Sequence, residues 1–344
     1  MNNRDINVVT GFKFAEIADV VFSGIFLKSQ INSLNIAKNI EENSNNNDYV
    51  IVKKKEFKLS ENDIIFCKTE YLKELFFVLK KQCNFKNIKL ISHQSDLKID
   101  KKLYDLKPKC ISKWYSINID YKTPDLIPIP LGIANFHSKN LSKDNFRYLE
   151  KNEYFIKTKK LIYINFNPNT NFSHRKSLYG TFKTNTWATK DIEPLQNEDY
   201  QKKITQHKFT LAPWGNGIDT HRFWEILYSG SIPITQFHHI YSSFTSIPRV
   251  LVNEYSEITK EFLDQKFTNL EASKKNFNFE ELNFDYWKNL ICDDSNDLEN
   301  VESINLQNQL HFFFRYKADL SHYIKSKLKF FNRIRRYVFR KFKI

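Results

Sequence analysis

The sequence predicts an α/β fold of two doubly wound, Rossmann-like halves facing a cleft, and three observations carry the prediction. Short β-branched runs alternate with helix-period stretches in two separate tracts, the pattern of parallel strands joined by crossover helices. The 344 residues exceed one average domain and suffice for two, each burying its own core. Glycines cluster in the second tract between a strand and a helix, where α/β proteins carry their ligand loops.

In the first tract INVVT (6–10), YVIVK (49–53), DIIFC (63–67) and IKLIS (88–92) read as strands, and TEYLKELFFVLKK (69–81) reads as an amphipathic helix between the last two. The stretch LIPIPLGIANF (126–136) is extended, but Pro128 and Pro130 bar it from being a central strand throughout. The polar segment that follows marks a junction. Domains are therefore expected at 1–145 and 146–300, with a helical basic tail over 301–344. The second tract runs LIYINFN (161–167), a helix from about Ser173, HKFTLA (207–212), a helix after Asp219, SIPIT (231–235), RVLVN (249–253) and a helix over 256–267.

Composition narrows the function classes. Hydrophobic residues are 41% and charged residues 27%, which suits a folded chain and excludes a disordered one. Cys67, Cys83, Cys110 and Cys292 lie far apart with no nearby His at ligand spacing, so neither a disulfide framework nor a zinc site is expected, and a reducing cytoplasm fits. The opening MNNRDINVVTGFKFAEIADVVFSGIF has Glu16 and Asp19 in its most apolar part and lacks a secretory core. No apolar stretch reaches membrane-spanning length, so a soluble protein is expected.

The net charge of +14 points at first to nucleic acid. Its distribution points elsewhere. Lys325, Lys327, Lys329, Arg333, Arg335, Arg336, Arg340, Lys341 and Lys343 account for most of the excess and lie in a segment, 321–344, without an acid. Apolar residues recur among them at spacings of three and four, as in an amphipathic helix lying on an anionic membrane surface. A helix packed on the body and a nucleic-acid arm are the competing readings.

The window LAPWGNGIDTHRFWEILYSGSIPIT (211–235) holds Gly215, Gly217 and Gly230, three of only seven glycines in the chain. It reads as a strand ended by Pro213, a glycine turn, a helix capped by Asp219 or Thr220, and a return strand after Gly230. Such a loop offers backbone N–H groups and a helix N-terminus to an anion. Asp219, Arg222, Glu225 and Ser229 share one helix face, where Arg222 can fork onto a diphosphate and Glu225 can accept from a ribose diol. The competing reading is an ordinary i, i+3 ion pair.

Pro213, Gly215, Gly217, Asp219, Arg222, Glu225, Leu227, Gly230, Ile232, Pro233 and Ile234 form a pattern that resembles the nucleotide-sugar segment of exostosin-like glycosyltransferases, in particular bacterial and viral members. ISHQSD (91–96), KWYSIN (113–118), LIPIPLGIAN (126–135) and INFNPNTNFSHR (164–175) extend the likeness across roughly 60–255, while Ser231 departs from the Cys many members carry. The resemblance implies the glycosyltransferase B fold and sugar transfer, with inversion, from a nucleotide-diphosphate donor, with Glu225 on the ribose and Arg222 on the phosphates; the loop residues Gly215, Asn216, Gly217 and Asp219 are expected to bind the same donor.

Two facing loops complete the expected site. Asn167 and Arg175 close the strand 161–167 and open the next helix, as diphosphate or sugar contacts. Asp96, and after it His93, emerge from the strand 88–92 as candidate bases for an acceptor hydroxyl; a turn or cap role for Asp96 is the plainer alternative. No D-x-D pair demands a divalent ion, so no metal and no cofactor beyond the donor is expected. The leading expectation is a cytoplasmic enzyme peripheral on the inner membrane face, acting on a lipid-linked glycan such as lipopolysaccharide or capsule. A DNA-modifying glycosyltransferase, a nucleic-acid binder and a non-catalytic scaffold are the alternatives.

Overall fold

The computed structural model describes residues 7–31, 49–134, 151–182, 184–191, 195–292 and 301–305. The basic segment 321–344 lies outside the described residues, as does most of the junction expected after 136. Among the described residues no helix is long and apolar enough to cross a membrane.

Among the described residues thirteen strands occur in chain order: β1 (Val20–Leu27), β2 (Tyr49–Lys53), β3 (Glu56–Ser60), β4 (Ile64–Lys68), β5 (Ile88–His93), β6 (Ile111–Ser116), β7 (Leu126–Pro128), β8 (Lys160–Ile164), β9 (Ala188–Lys190), β10 (His207–Leu211), β11 (Ile232–Gln236), β12 (Val250–Val252) and β13 (Val301–Asn305). Eleven of them build two main sheets, each the centre of an α/β half, while β3 and β13 pair in a separate two-stranded sheet. The first has the order β2-β1-β4-β5-β6-β7, parallel throughout except for β2, which runs antiparallel to β1. β4 and β5 are buried at every position, as expected of central parallel strands covered on both faces. The Pro-rich stretch contributes only the edge strand β7, where a missing N–H costs nothing.

The second sheet has the order β12-β11-β10-β8-β9, all parallel. Counted from its first strand, this is the doubly wound order 2-1-3-4-5, so the chain leaves β8 and β10 in opposite directions and opens a crevice at their carboxyl ends. The glycine window follows β10 and the Asn-rich loop follows β8, which places both at that crevice.

Two expectations are corrected. INVVT is not a sheet strand: Val8 and Thr10 make isolated bridges to Asn283 and Ile133, and Thr10 caps the helix Gly11–Glu16 by accepting from the Lys13 amide at 3.3 Å. Its apolar side chains were legible; its partners, remote in sequence, were not. Val301–Asn305 is no part of a helical tail but a strand antiparallel to β3. β1 was not among the expected strands, because Ser23 and Gly24 interrupt its apolar run.

The halves are tied by more than the cleft. The helix Phe284–Cys292 returns to the first half, where the Phe284 amide donates to Asn7 O at 2.7 Å and Lys89 Nζ donates to Ile291 O at 2.8 Å. The Tyr228 hydroxyl, buried on the helix His221–Tyr228, accepts from the Val9 amide at 2.9 Å and donates to Leu282 O at 2.7 Å.

Candidate functional site

A cavity of about 420 Å³ lies between the carboxyl ends of the two sheets. Its first-half wall includes Glu70, His93, Gln94 and Asp96, and its second-half wall includes Thr170, Arg175, Gly215, Asn216, Gly217, Asp219 and His221. Seven of the ten expected site residues therefore meet here, although 96 and 175 belong to different sheets.

Arg175, on the helix Phe172–Phe182, is buried at 6% exposure. Its Nε donates to Trp214 O at 2.7 Å, Nη2 to Pro213 O at 2.7 Å and Nη1 to Asn167 O at 3.2 Å. A guanidinium has five N–H donors, so one on each terminal nitrogen is left over. Among the described residues no carboxylate pairs with it; burial and the neighbouring Arg222 charge instead push its pKa down to about 10. A buried cation that binds only carbonyls and lines a cavity is a site prepared for an anion.

The glycine loop is shaped differently from expectation. Gly230 has φ +73°, and the Gly230 and Ser231 amides donate to Leu227 O and Ile226 O at 3.0 and 3.1 Å, a Schellman stop for the helix. Gly215 has no steric need of being glycine: a Cβ there would sit 3.6 Å from Arg175 Nη2. What its bareness leaves is room for one methyl group among the guanidinium and the Thr170 and Thr220 methyls. Asn171 Nδ2 donates to Gly215 O at 2.8 Å and clasps the two switch-point loops together.

Two of the amides at the end of this loop are already engaged. Asp219 N donates to Asn118 Oδ1 and Thr220 N to Asp219 Oδ1, both at 2.8 Å. The Asp219 carboxylate, 3% exposed, also accepts from Leu131 N at 2.8 Å and from Trp224 Nε1 at 3.0 Å. Burial pushes its pKa up to about 6 against these donors. Asp219 is thus the internal anchor of the loop, and two of its hydrogen bonds, to Asn118 and Leu131, cross to the first half.

On the first-half wall His93 is buried at 1% exposure, with Nε2 3.3 Å from Pro130 O and Nδ1 accepting from the Gln94 amide at 2.8 Å. Burial holds its pKa down at about 3, and both nitrogens are engaged. Asp96 is exposed and accepts from Asn216 Nδ2 at 3.2 Å, a contact that bridges the cleft. His221 Nδ1 lies 2.7 Å from Gly132 O at the same mouth.

Arg222, Glu225 and Asn167 do not line this cavity. Arg222 donates to Asn165 O and lies over the Tyr200 ring, 4.9 Å from its centroid. Glu225 is half-buried one turn along, and its carboxylate makes no hydrogen bond or ion pair with any described residue, Arg222 included. Asn167 is exposed, its Oδ1 accepting from Asn169 N at 2.9 Å. Two of these three still reach Arg175, Asn167 through its carbonyl and Arg222 through its charge.

Sequence reasoning missed Glu70, Asn118 and His221. Asn118, at φ +54° and 1% exposed, also donates from Nδ2 to Ser95 O at 2.9 Å. Its one sequence signal is the Asn that ends KWYSIN, since Asn tolerates left-handed backbone. Among the described residues no group of His, Cys, Asp and Glu is arranged to hold a metal ion.

No family model matches this chain, and no curated protein matches it. Solved structures similar to it include a crystal structure of alpha1,3-fucosyltransferase, at 12% identity and a TM-score of 0.32, covering 69% of this chain and 80% of that one.

Proposed function

We propose that the chain is a glycosyltransferase moving a sugar from a nucleotide-diphosphate donor to a glycan acceptor. The observation that supports this best is Arg175, a buried guanidinium at the switch point with two unused donors and no balancing carboxylate among the described residues. A diphosphate supplies the missing charge and a forked set of acceptors. The neighbouring helix His221–Tyr228 suits the nucleoside: the Glu225 carboxylate, unpaired among the described residues, accepts from a ribose diol, and Arg222 adds a second cation.

Two guanidiniums stabilise the departing diphosphate, so the reading calls for no divalent ion. The acceptor enters along the first-half wall, opposite the diphosphate, and attack from there inverts the anomeric carbon. A lipid-linked acceptor at an anionic membrane surface rests on the sequence of 321–344 alone. Co-sedimentation with anionic vesicles, lost on deleting that segment, tests it.

Thermal shift with uridine, guanosine and cytidine diphosphates tests the donor site, because a ligand of the folded state raises its melting point. One base should give a shift that Arg175→Gln removes. No shift with any of the three sinks the reading. Because Arg175 also clamps carbonyls, Glu225→Ala, which disturbs no such contact, serves as the second variant.

A further inference from the structure

We propose that Glu70 is the general base of this transfer, an assignment that rests on the glycosyltransferase reading above. Glu70 follows β4, a central strand of the first sheet, and lines the cavity across from Arg175 and Gly215. Its mount is rigid: the Lys68 amide donates to Ser23 Oγ at 3.1 Å and Thr69 Oγ1 donates to His93 O at 3.4 Å. Lys68 Nζ forms an ion pair with its carboxylate, the lysine side chain 10% and the glutamate side chain 38% exposed. The cation orients the carboxylate from behind and leaves it open to the cavity.

The other proton acceptors on these walls are otherwise committed or misplaced. Asp219 is saturated by buried donors. His93 has both ring nitrogens engaged. Asp96 is held by Asn216 from the opposite half. His221 opens the helix that follows the glycine loop, on the wall assigned to the leaving group. Inversion requires the base on the face away from the diphosphate, and Glu70 is the carboxylate there without a contact to the second half.

In the step, the acceptor oxygen forms a bond to the anomeric carbon as the bond from that carbon to the diphosphate oxygen breaks. The electron pair leaves on the nucleoside diphosphate, and the hydroxyl proton passes to a Glu70 carboxylate oxygen, which later returns it to water. Atoms and charges balance with no further reactant.

The test compares wild type, Glu70→Gln and Glu70→Ala on a panel of uridine, guanosine and cytidine diphospho-sugars, with water or added azide as acceptor. Glu70→Gln should bind the nucleoside diphosphate as wild type does while turnover falls about 100-fold or more. Azide, an anion needing no base, should restore turnover to Glu70→Ala as glycosyl azide. Undiminished turnover in Glu70→Gln, a loss of nucleotide binding equal to the loss of turnover, or a wild type that binds nucleotide and turns over no donor overturns the base assignment alone. A wild type that binds no nucleotide overturns the donor site on which it rests.

Discussion

The side-chain amide of Asn118 occupies the space that a Cβ on residue 217 would need: that atom would lie 2.7 Å from Nδ2 and 2.9 Å from Oδ1. The pair joins the halves, because the same amide accepts from Asp219 N and donates to Ser95 O. Glycine at 217 is therefore required by a partner about a hundred residues earlier in the chain. Gly217→Ala should displace the amide, leave two buried groups unpaired and cost about 1–3 kcal/mol. In an Asn118→Ala background the obstruction is gone, and the same change should cost no more than a few tenths of a kcal/mol. Urea unfolding of the four proteins in this cycle measures the coupling; additive costs would refute the contact.

Asp219 and His93 bend the pH dependence of stability in opposite senses. Burial raises the Asp219 pKa to about 6, so between its ordinary value and pH 6 the folded chain holds a proton the unfolded chain has lost, and stability falls as pH rises through that interval. Asp219→Asn removes this slope, so stability of the variant should rise with pH, relative to wild type, by up to about 1.4 kcal/mol per unit. It also turns an amide N–H₂ toward the Leu131 and Trp224 donors, which lowers stability at every pH by about 1–3 kcal/mol. Melting points from pH 4 to pH 7 separate the two effects.

Burial depresses the His93 pKa to about 3, so its contribution is fully present above pH 6.5, the value of a free imidazole, and is lost as pH falls toward 3. His93→Gln should therefore lose less stability than wild type between pH 6.5 and pH 4. A variant with an unchanged pH profile would show that the ring is protonated in the folded chain. As a base it would have to break its bonds to Pro130 O and the Gln94 amide, so turnover of the variant should follow its folded fraction.

Much of this architecture was legible because local patterns agreed with the tertiary result. YVIVK, DIIFC, IKLIS and SIPIT are strands to within a residue or so, and Gly230 stops its helix as its position implied. The glycine window stood out because glycine is rare here. What stayed hidden depends on partners far away. β13 pairs with β3 some 240 residues earlier in the chain, and both are short strands with charged or polar faces. Asn118 is one Asn in an Asn-rich chain until its amide is seen spanning the cleft. Glu70 reads as the first turn of an amphipathic helix, and only the order of the first sheet brings it opposite Arg175. Asp219 shows the converse: its type and place suited a ligand contact, while three donors, Leu131 N, Thr220 N and Trp224 Nε1, claim its carboxylate.

Glu225 gives the sharpest distinction between a ligand contact and a structural one. Its half-buried carboxylate makes no hydrogen bond or ion pair with any described residue, so Glu225→Ala should leave stability within about 0.5 kcal/mol of wild type. If the carboxylate accepts from a ribose diol, the same change removes a charge-assisted hydrogen bond of about 1.5–3 kcal/mol, roughly a 10- to 100-fold rise in Kd. The chemistry can be read from the ligand side as well. A 2′-deoxynucleoside diphosphate lacks half of the diol, so wild type should bind it more weakly than the ribonucleotide, while Glu225→Ala should no longer tell them apart. Isothermal titration of both proteins with both ligands closes the cycle. A variant that keeps the wild-type preference for the diol would move the nucleoside away from Glu225 and Arg222 and leave the diphosphate assignment to Arg175 alone.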